Sequence, residues 1–454
     1  MKKYKVIIIG AGPAGIFSAL TLANSGVDSI LLLEKGKDIT KRSRYNSEML
    51  CGWGGAGAFS DGKLTLSSEV GGFLNELLNP QELSSLLKAT DAIYVKYGAP
   101  EKIYGKNSKE LKELSYKARK AELELVPSYI RHIGTENCKI ILEKLQKDLS
   151  SLIEIRTETA AEQIIVDENK VVGVELENGE SYEADFVIAA PGRSGSKWMK
   201  KEAVRLNLRT KASPVDIGVR VEIPAHIFKH ITDIAYESKL VYHSETVDDK
   251  VRTFCMNPYG EVVEEQIDGV KTVNGHSYAN KKSANTNFAL LVSSTFTDPF
   301  DDPIAYGLYV ARLANLLGKG VIVQRLSDLL DGRRSTNSRI SKCLTKPSLI
   351  SATPGDLSFV FPYRHLLSII EMLKALDKLA PGVFSRHTLL YGVEIKLYSN
   401  RIKVYSNLET DVHNLFAIGD GAGITRGLIQ ASASGIWAAK MITERIDQNS
   451  IVLD

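Results

Sequence analysis

Apolar and polar positions change period several times along this chain, and each period marks a different kind of element. Residues 5–9 (KVIII) are a short, almost wholly apolar run, the pattern of a strand buried on both faces of a parallel sheet. Residues 14–24 follow as a helix and residues 29–34 as a second strand. Residues 51–66, CGWGGAGAFSDGKLTL, break the pattern with a glycine-dense loop of little helical or strand character. Helical periodicity returns over residues 80–152, where Leu111, Leu114, Ala118, Ala121 and Leu125 recur at three- and four-residue steps between lysines and glutamates. From 153 to 188 the period shortens to that of strands: IEIRTE, then a pair turning near residues 167–169, then YEADFVIAAPG. Residues 212–384 mix strands such as DIGVRVEI and FALLVSSTF with helices such as residues 305–317. Towards the end, LYGVEIKLYS and NRIKVYS predict a hairpin, and NLFAIGD predicts a buried strand. Residues 428–446 predict a helix in which Ala431 and Gly435 permit close packing.

At 454 residues, 44% hydrophobic and 24% charged, the chain has material for about three domain-sized units, or two if one is interrupted. A net charge of +3 is too small to argue for nucleic acid or an acidic membrane surface as a partner. Cys51, Cys138, Cys255 and Cys343 are widely spaced without a CxxC pair, so neither a disulfide framework nor a metal site is expected, and a reducing cytoplasm fits best. Two lysines followed by an uncharged stretch from 6 to 23 superficially resemble a signal peptide. The Gly-Ala-Gly-Pro-Ala-Gly run inside it suits a strand, turn and helix start instead. No other stretch approaches the ~20 apolar residues of a membrane span.

That run, Gly10-Ala11-Gly12-Pro13-Ala14-Gly15, fits GxGxxG with a strand before it and a helix after it. Gly10 makes the tight turn, Gly12 lets backbone approach a pyrophosphate, and Gly15 lets helix and sheet pack closely. The helix N-terminus offers unpaired N–H groups and a partial positive charge to the anion. Glu34, nineteen residues past Gly15 at the end of the next strand, is placed to accept hydrogen bonds from a ribose and would repel a 2′-phosphate. The expected nucleotide is the adenosine half of FAD or NAD, not NADP. Near the other end of the chain, Gly419-Asp420 closes a second apolar strand and favours FAD. An acid there can bind the hydroxyls of a ribityl chain, and the following helix start, through Arg426, Gly427 and Leu428, can point N–H groups at a flavin pyrimidine ring.

GAGPAG with Glu34, the strand ending AAPG (Ala190 and Gly192 within it) and TDVHNLFAIGD together resemble the three cofactor motifs of the two-dinucleotide-binding-domain flavoproteins. Over most of the chain, GGAGAFSDGKLT (54–65), DIGVRVE (216–222), SANTNFALLV (283–292) and GDGAGITRGLIQASASG (419–435) resemble the uncharacterised bacterial family of FAD-dependent dehydrogenases, also described as NAD(P)/FAD-dependent oxidoreductases. The resemblance implies FAD binding and redox activity, and supplies no substrate. The implied fold is α/β: a Rossmann-like FAD-binding domain of the glutathione reductase/hydroxylase type, interrupted by a mixed α/β substrate domain and carrying a helical insert. The expected boundaries are 1–66, 153–211 and 387–454 for the FAD-binding domain, 67–152 for the helical insert and 212–386 for the substrate domain.

Other candidates cluster around this core. Lys35 follows Glu34 directly, and in hydroxylase-type flavoproteins a basic residue in the region of Arg42 and Arg44 reaches the pyrophosphate; a solvated basic loop with Lys35, Lys37 and Lys41 is the competing reading. Gly54, Gly55, Ala56 and Gly57 would let backbone run beside the flavin. The catalytic candidates are Lys63 near the flavin N5 edge, His276 as a proton donor, and Arg220 either binding a substrate carboxylate or pairing with an internal acid. Cys51 lacks the close partner a disulfide reductase needs, and both it and Cys255 read first as structural. The resembling family commonly carries Cys-x-x-Pro-Gly-Gly where this chain has Tyr259 at the first of those glycines. Arg333, Arg334, Arg339, Lys342 and Lys346, with no acid among them, read as an exposed flexible loop, with an anionic-substrate clamp second.

The expected function is an FAD-dependent oxidoreductase, a dehydrogenase or reductase moving hydride between flavin N5 and a small organic substrate. A flavin monooxygenase is the alternative enzyme, disfavoured because Pro191-Gly192 stands where hydroxylases carry Asp-Gly. A flavin-dependent RNA-modifying protein and a non-catalytic FAD binder are alternatives of another class. With no GxGxxG after residue 200, NAD(P)H would bind only transiently.

Overall fold

The computed structural model describes residues 2–43, 50–60, 62–105, 109–126, 129–211, 213–267, 269–277, 282–296, 300, 302–397 and 401–451. They divide into two compact units. The first comprises Met1–Tyr104, Tyr129–Ser213 and Tyr398–Asp454; the second comprises Gly105–Ser128 and Pro214–Leu397.

In the first unit the apolar run near the start becomes the strand Lys3–Ile9, paired in parallel with Ile30–Leu33 on one side and Ser181–Ala189 on the other. Val6, Ile7 and Ile8 have no exposed surface, which explains a run with no polar face. The sheet order is Glu154–Arg156, Ile30–Leu33, Lys3–Ile9, Ser181–Ala189, Lys170–Leu176, Ala161–Asp167. Ser181–Ala189 serves two neighbours in succession. Its beginning pairs antiparallel with Lys170–Leu176, and its end pairs in parallel with Leu415–Ala417, the strand returning from late in the chain. Ile9 is opposite both Leu33 and Ala189, and Ala189 is opposite Ala417. The turns after residues 9, 189 and 417 therefore leave one carboxyl edge of one parallel sheet, where open α/β sheets bind ligands.

Two helices pack against one another beneath those turns. Pro13–Asn24 meets Leu428–Ile451 at Gly435, where a Cβ would stand 2.1 Å from the Ala14 carbonyl oxygen, so only glycine fits. Ser18 seals the contact by donating to the Gly435 carbonyl at 3.2 Å.

The expected helical insert at 67–152 is divided. Pro80–Lys96, opened by a capping box between Asn79 and Glu82, and Thr135–Ser150 belong to the first unit, whereas residues 105–128 belong to the second. There the helix Lys109–Lys120 stops short of the predicted period, the chain turns through Glu122 at φ 63, and Leu125 lies in the strand Glu124–Val126. Leu125 keeps its place in the series because it is buried in the same core as Leu111, Leu114 and Ala118.

The second unit is built on an eight-stranded, mainly antiparallel sheet in the order Thr353–Pro354, Ile322–Arg325, Leu389–Lys396, Val215–Pro224, Asn285–Ser294, Lys250–Asn257, Lys239–His243, Glu124–Val126. The predicted hairpin of LYGVEIKLYS with NRIKVYS does not form. Leu389–Lys396 pairs with Val215–Pro224 inside this sheet, while Arg401–Ile402 pairs with Thr210–Lys211 in the first unit. Every residue of Leu389–Lys396 except the last is buried, the signature of an interior strand and not of a half-exposed hairpin arm. Among the described residues no helix is long and apolar enough to cross a membrane.

Candidate functional site at the carboxyl edge of the first sheet

The three glycines of GAGPAG are needed for different reasons. A Cβ on Gly10 would stand 2.2 Å from the Ala190 carbonyl oxygen, and one on Gly15 would stand 1.9 Å from the Gly10 carbonyl oxygen, so both are packing glycines. A Cβ on Gly12 would meet nothing within 4 Å. Gly12 is also the N-cap of Pro13–Asn24 and supplies no side-chain cap. The positive end of that helix therefore faces open space at the one glycine whose bareness no protein atom requires.

Gly419 (φ 73) turns the Leu415–Ala417 strand towards this place, with its Cβ position 3.0 Å from the Ala14 Cβ. Asp420 follows. Part of its surface remains accessible although protein surrounds it, and this desolvation raises its carboxyl pKa against the lowering influence of Arg193, a 2.6 Å hydrogen bond from the Thr425 hydroxyl, and Arg426. Gly421 fits only as glycine, its Cβ position 2.4 Å from the Gly192 carbonyl oxygen, so the Ala190–Gly192 turn and the Asp420 turn touch. An open helix N-terminus, a bare glycine beside it and a partly accessible, desolvated acid at one sheet edge fit an extended dinucleotide: the N–H groups of Gly12, Ala14 and Gly15 would hold its pyrophosphate and Asp420 its sugar-alcohol hydroxyls.

Glu34 is buried, and its carboxylate already accepts backbone N–H groups from Ala11 (2.8 Å), Gly36 (2.8 Å) and Gly52 (2.9 Å). It thus locks the first turn to the 50s loop, and any ribose would share an acceptor already in use. Arg42 is turned inward. Its Nη1 donates to the carbonyls of Trp53 (2.6 Å) and Gly55 (2.9 Å), and its guanidinium lies 4.9 Å from the centroid of the Phe59 ring. It organises the glycine loop, so the solvated-loop reading does not hold for Arg42, while Lys37 and Lys41 lie nearby in sequence and Arg44 falls outside the described residues. Lys35 Nζ donates to the Ser194 carbonyl at 3.1 Å. Gly54 donates its N–H to Ala11 at 2.7 Å; a Cβ on Gly54 would strike Leu142, one on Gly55 would approach Gly12 Cα at 3.3 Å, and one on Gly57 would approach Leu428 at 3.0 Å. These glycines, with Ala56 in the same 3-10 turn Gly55–Phe59, lay the loop over the GxGxxG turn and the last helix.

Burial and the nearby Glu34 charge push the Cys51 thiol pKa up, against activation as a nucleophile, and none of the four cysteines is disulfide-bonded. Lys63 begins the strand Lys63–Thr65 in the first unit, opposite His132. His276 ends the strand Val270–His276 of the second unit and is exposed. Arg220 resolves to the internal alternative: it has no exposed surface and donates Nε to Glu394 at 2.7 Å and Nη2 to Glu394 at 2.8 Å, so it does not await a substrate carboxylate. The basic run from 333 is exposed at Arg333, Arg334, Lys342 and Lys346, as expected, but it is anchored. Arg333 joins Arg325 and Ser335 on the fully buried Asp328, whose pKa these bonds hold well below the ordinary value despite burial, and Asn337–Ser341 is helical.

Sequence reading missed Phe73, Arg193, Thr425 and Gln430. Gly71 and Gly72, at φ 104 and 149, were the available signal, since Gly72 bridges to Thr425 and Arg426 donates its N–H to Gly71 at 2.7 Å.

A parallel sheet with these turns at its carboxyl edge has the architecture of a dinucleotide-binding domain. Residues 5–226 match the family described as FAD dependent oxidoreductase, and residues 214–397 match the family described as FAD-dependent protein, C-terminal domain-like. Between them the two FAD-dependent families match residues 5–397 of the chain. An uncharacterized protein of Clostridium beijerinckii is 28% identical over 481 residues, covering 98% of this chain and 82% of that protein. Among solved structures, a variant of E. coli quinol fumarate reductase FrdA is 13% identical with a TM-score of 0.43, covering 99% of this chain and 72% of that one. The 3-ketosteroid-delta4-(5alpha)-dehydrogenase of Rhodococcus jostii is also 13% identical with a TM-score of 0.43, covering 98% of each chain.

Proposed function

We propose that this protein binds one FAD along the carboxyl edge of its first sheet and transfers hydride between the flavin N5 and an organic substrate. The supporting observation is the row Leu33, Ile9, Ala189, Ala417, which brings an uncapped helix N-terminus at Gly12 and the desolvated Asp420 to one edge. When bound, the flavin supplies the two-electron chemistry. The chain's own residues bind and orient it: the Pro13–Asn24 helix start holds the pyrophosphate, Asp420 orients the ribityl hydroxyls, and the Gly427–Leu428 helix start offers N–H groups and a positive field where reduction places negative charge. Lys63 and His276 remain proposed contributors, as charge near the flavin and as proton donor. The second unit is the proposed source of substrate specificity, and NAD(P)H the proposed transient electron donor.

The test is anaerobic: the purified yellow protein is mixed separately with NADH and NADPH, and flavin absorbance is followed while metabolites are screened for reoxidation. Bleaching followed by reoxidation with one metabolite class is expected. A colourless protein that takes up no added FAD would overturn the proposal.

A further inference from the structure

Three side chains beside the Asp420 turn form a stack, and two of them, Phe73 and Arg401, lie outside the cofactor motifs. The guanidinium carbons of Arg401 and Arg426 each lie 4.5 Å from the centroid of the Phe73 ring. Glu76 pairs with Arg401 at 2.6 Å, which lets two cations share one ring. The backbone carrying Phe73 is pinned to the backbone carrying Arg426: Phe73 N–H donates to Ile424 at 2.9 Å, Arg426 N–H donates to Gly71 at 2.7 Å, and Gln430 Nε2 donates to Val70 at 2.9 Å. Close approach is built in, because a Cβ on Gly72 would stand 2.7 Å from Thr425 Cα. The charge of Arg426 in turn reaches the Asp420 carboxyl.

We infer that Phe73 is a positioning residue: by stacking on Arg426 it fixes that guanidinium so that its positive charge bears on the flavin held at the Asp420 turn. This rests on the FAD reading above. A long arginine side chain left to itself samples many rotamers, whereas a planar guanidinium held on a ring keeps one orientation. A fixed cation stabilises the negative charge that two-electron reduction brings to the flavin, so the stack raises the flavin's reduction potential.

The test is the midpoint potential of the FAD-loaded protein, measured by reduction in the presence of a reference dye. Arg426→Met should lower it by about 30 mV, a tenfold change in the two-electron equilibrium constant, and Phe73→Leu should lower it by about half as much, roughly threefold. Phe73→Tyr, which keeps the ring, should match the parent protein. Parent-like potentials in Phe73→Leu or in Arg426→Met would overturn the inference. If Phe73→Leu does not retain FAD, Arg401→Met replaces it: a smaller fall in potential supports the stack, and no fall overturns it. A parent protein that takes up no FAD overturns the proposed function and this inference together, an outcome separate from every comparison among loaded variants.

Discussion

Asp420 in the first unit and Glu394 in the second are both desolvated acids, and their carboxyl pKa values move in opposite directions. Burial raises Asp420 against the lowering influence of the Arg193 charge, the neutral Thr425 hydroxyl, the Arg426 charge and the Gly427 N–H. Burial would raise Glu394 as well, yet the charges of Arg220 and Lys396, the latter 3.1 Å away, hold it below the ordinary value. Glu222, fully buried in the second unit, moves with Asp420: burial raises it although Tyr391 (2.5 Å), Asn285 (2.9 Å) and Ser348 (3.2 Å) all donate to it. At Asp420 and Glu222 the neutral donors satisfy lone pairs without overcoming burial, whereas at Glu394 the direct ion pair overcomes it. An acid that is desolvated, lightly bonded and still partly accessible is suited to a ligand rich in hydroxyls. One sealed by a bidentate arginine is part of the fold.

The largest test of that contrast removes the arginine. Arg220→Met should destabilise the protein by about 3–5 kcal/mol, because it leaves Glu394 buried without its bidentate partner. Denaturant unfolding measures this, and a loss below ~1 kcal/mol would mean that Lys396 alone neutralises the acid. The next contrast lies within GAGPAG. Gly15→Ala forces a Cβ against backbone and should cost about 1–3 kcal/mol or more of stability. Gly12→Ala meets no protein atom and should leave unfolding unchanged while weakening FAD binding, read by recovery of flavin fluorescence on release. Equal losses of stability in the two variants would erase the distinction between packing and ligand glycines.

Asp420→Asn should weaken FAD binding by about 1.5–3 kcal/mol, the range for hydrogen bonds to a charged group. In the FAD-free protein the same change should be mildly stabilising near neutral pH. The sign follows from linkage: with its folded pKa above the ordinary 3.8, the aspartate contributes stability below that value and loses it as pH rises through the folded pKa. The advantage of asparagine should therefore vanish on acidification below 3.8. Glu394 runs the other way. Its folded pKa lies below the ordinary 4.5, so its stabilisation is present above that value and is lost as pH falls through the folded one. Thermal unfolding of both proteins across the acid range checks the two slopes together.

The contrast also explains what could be read from sequence. The edge of the first sheet was legible because its signals are local: a short apolar run, a glycine turn and a helix start identify each strand end, and three such ends share one edge once the strands are parallel. Pairings across long separations were not legible. Arg220 and Glu394 are 174 residues apart, and the donors that occupy Glu34 include the amide of Gly52, which no periodicity announces. Leu389–Lys396 carries a strand pattern that says nothing about its partner, so adjacency suggested a hairpin where the second sheet takes the strand. Phe73 is one aromatic in an irregular stretch, and its stacking depends on Arg401, more than three hundred residues later.

The smallest expected effect belongs to Tyr259, in the loop that completes the Arg220 site. Arg220 Nη1 donates to the Cys255 carbonyl at 2.8 Å, and Cys255 and Tyr259 both take left-handed backbone, at φ 46 and 54. At Tyr259 this conformation costs a side-chain-bearing residue about 1–2 kcal/mol. Glycine removes that strain but adds about 0.5–1 kcal/mol of unfolded-state entropy. It also forfeits the contact of Lys282, 5.0 Å from the tyrosine ring centroid. These terms nearly cancel, so Tyr259→Gly should change stability by less than about 1 kcal/mol, whereas Tyr259→Val, branched at Cβ in a left-handed conformation, should be clearly destabilising. If glycine instead cost as much as valine, the tyrosine ring and not the backbone would be what holds the Cys255 carbonyl on Arg220, and the second unit's sealed ion pair would depend on an aromatic contact as the first unit's Arg426 is proposed to do.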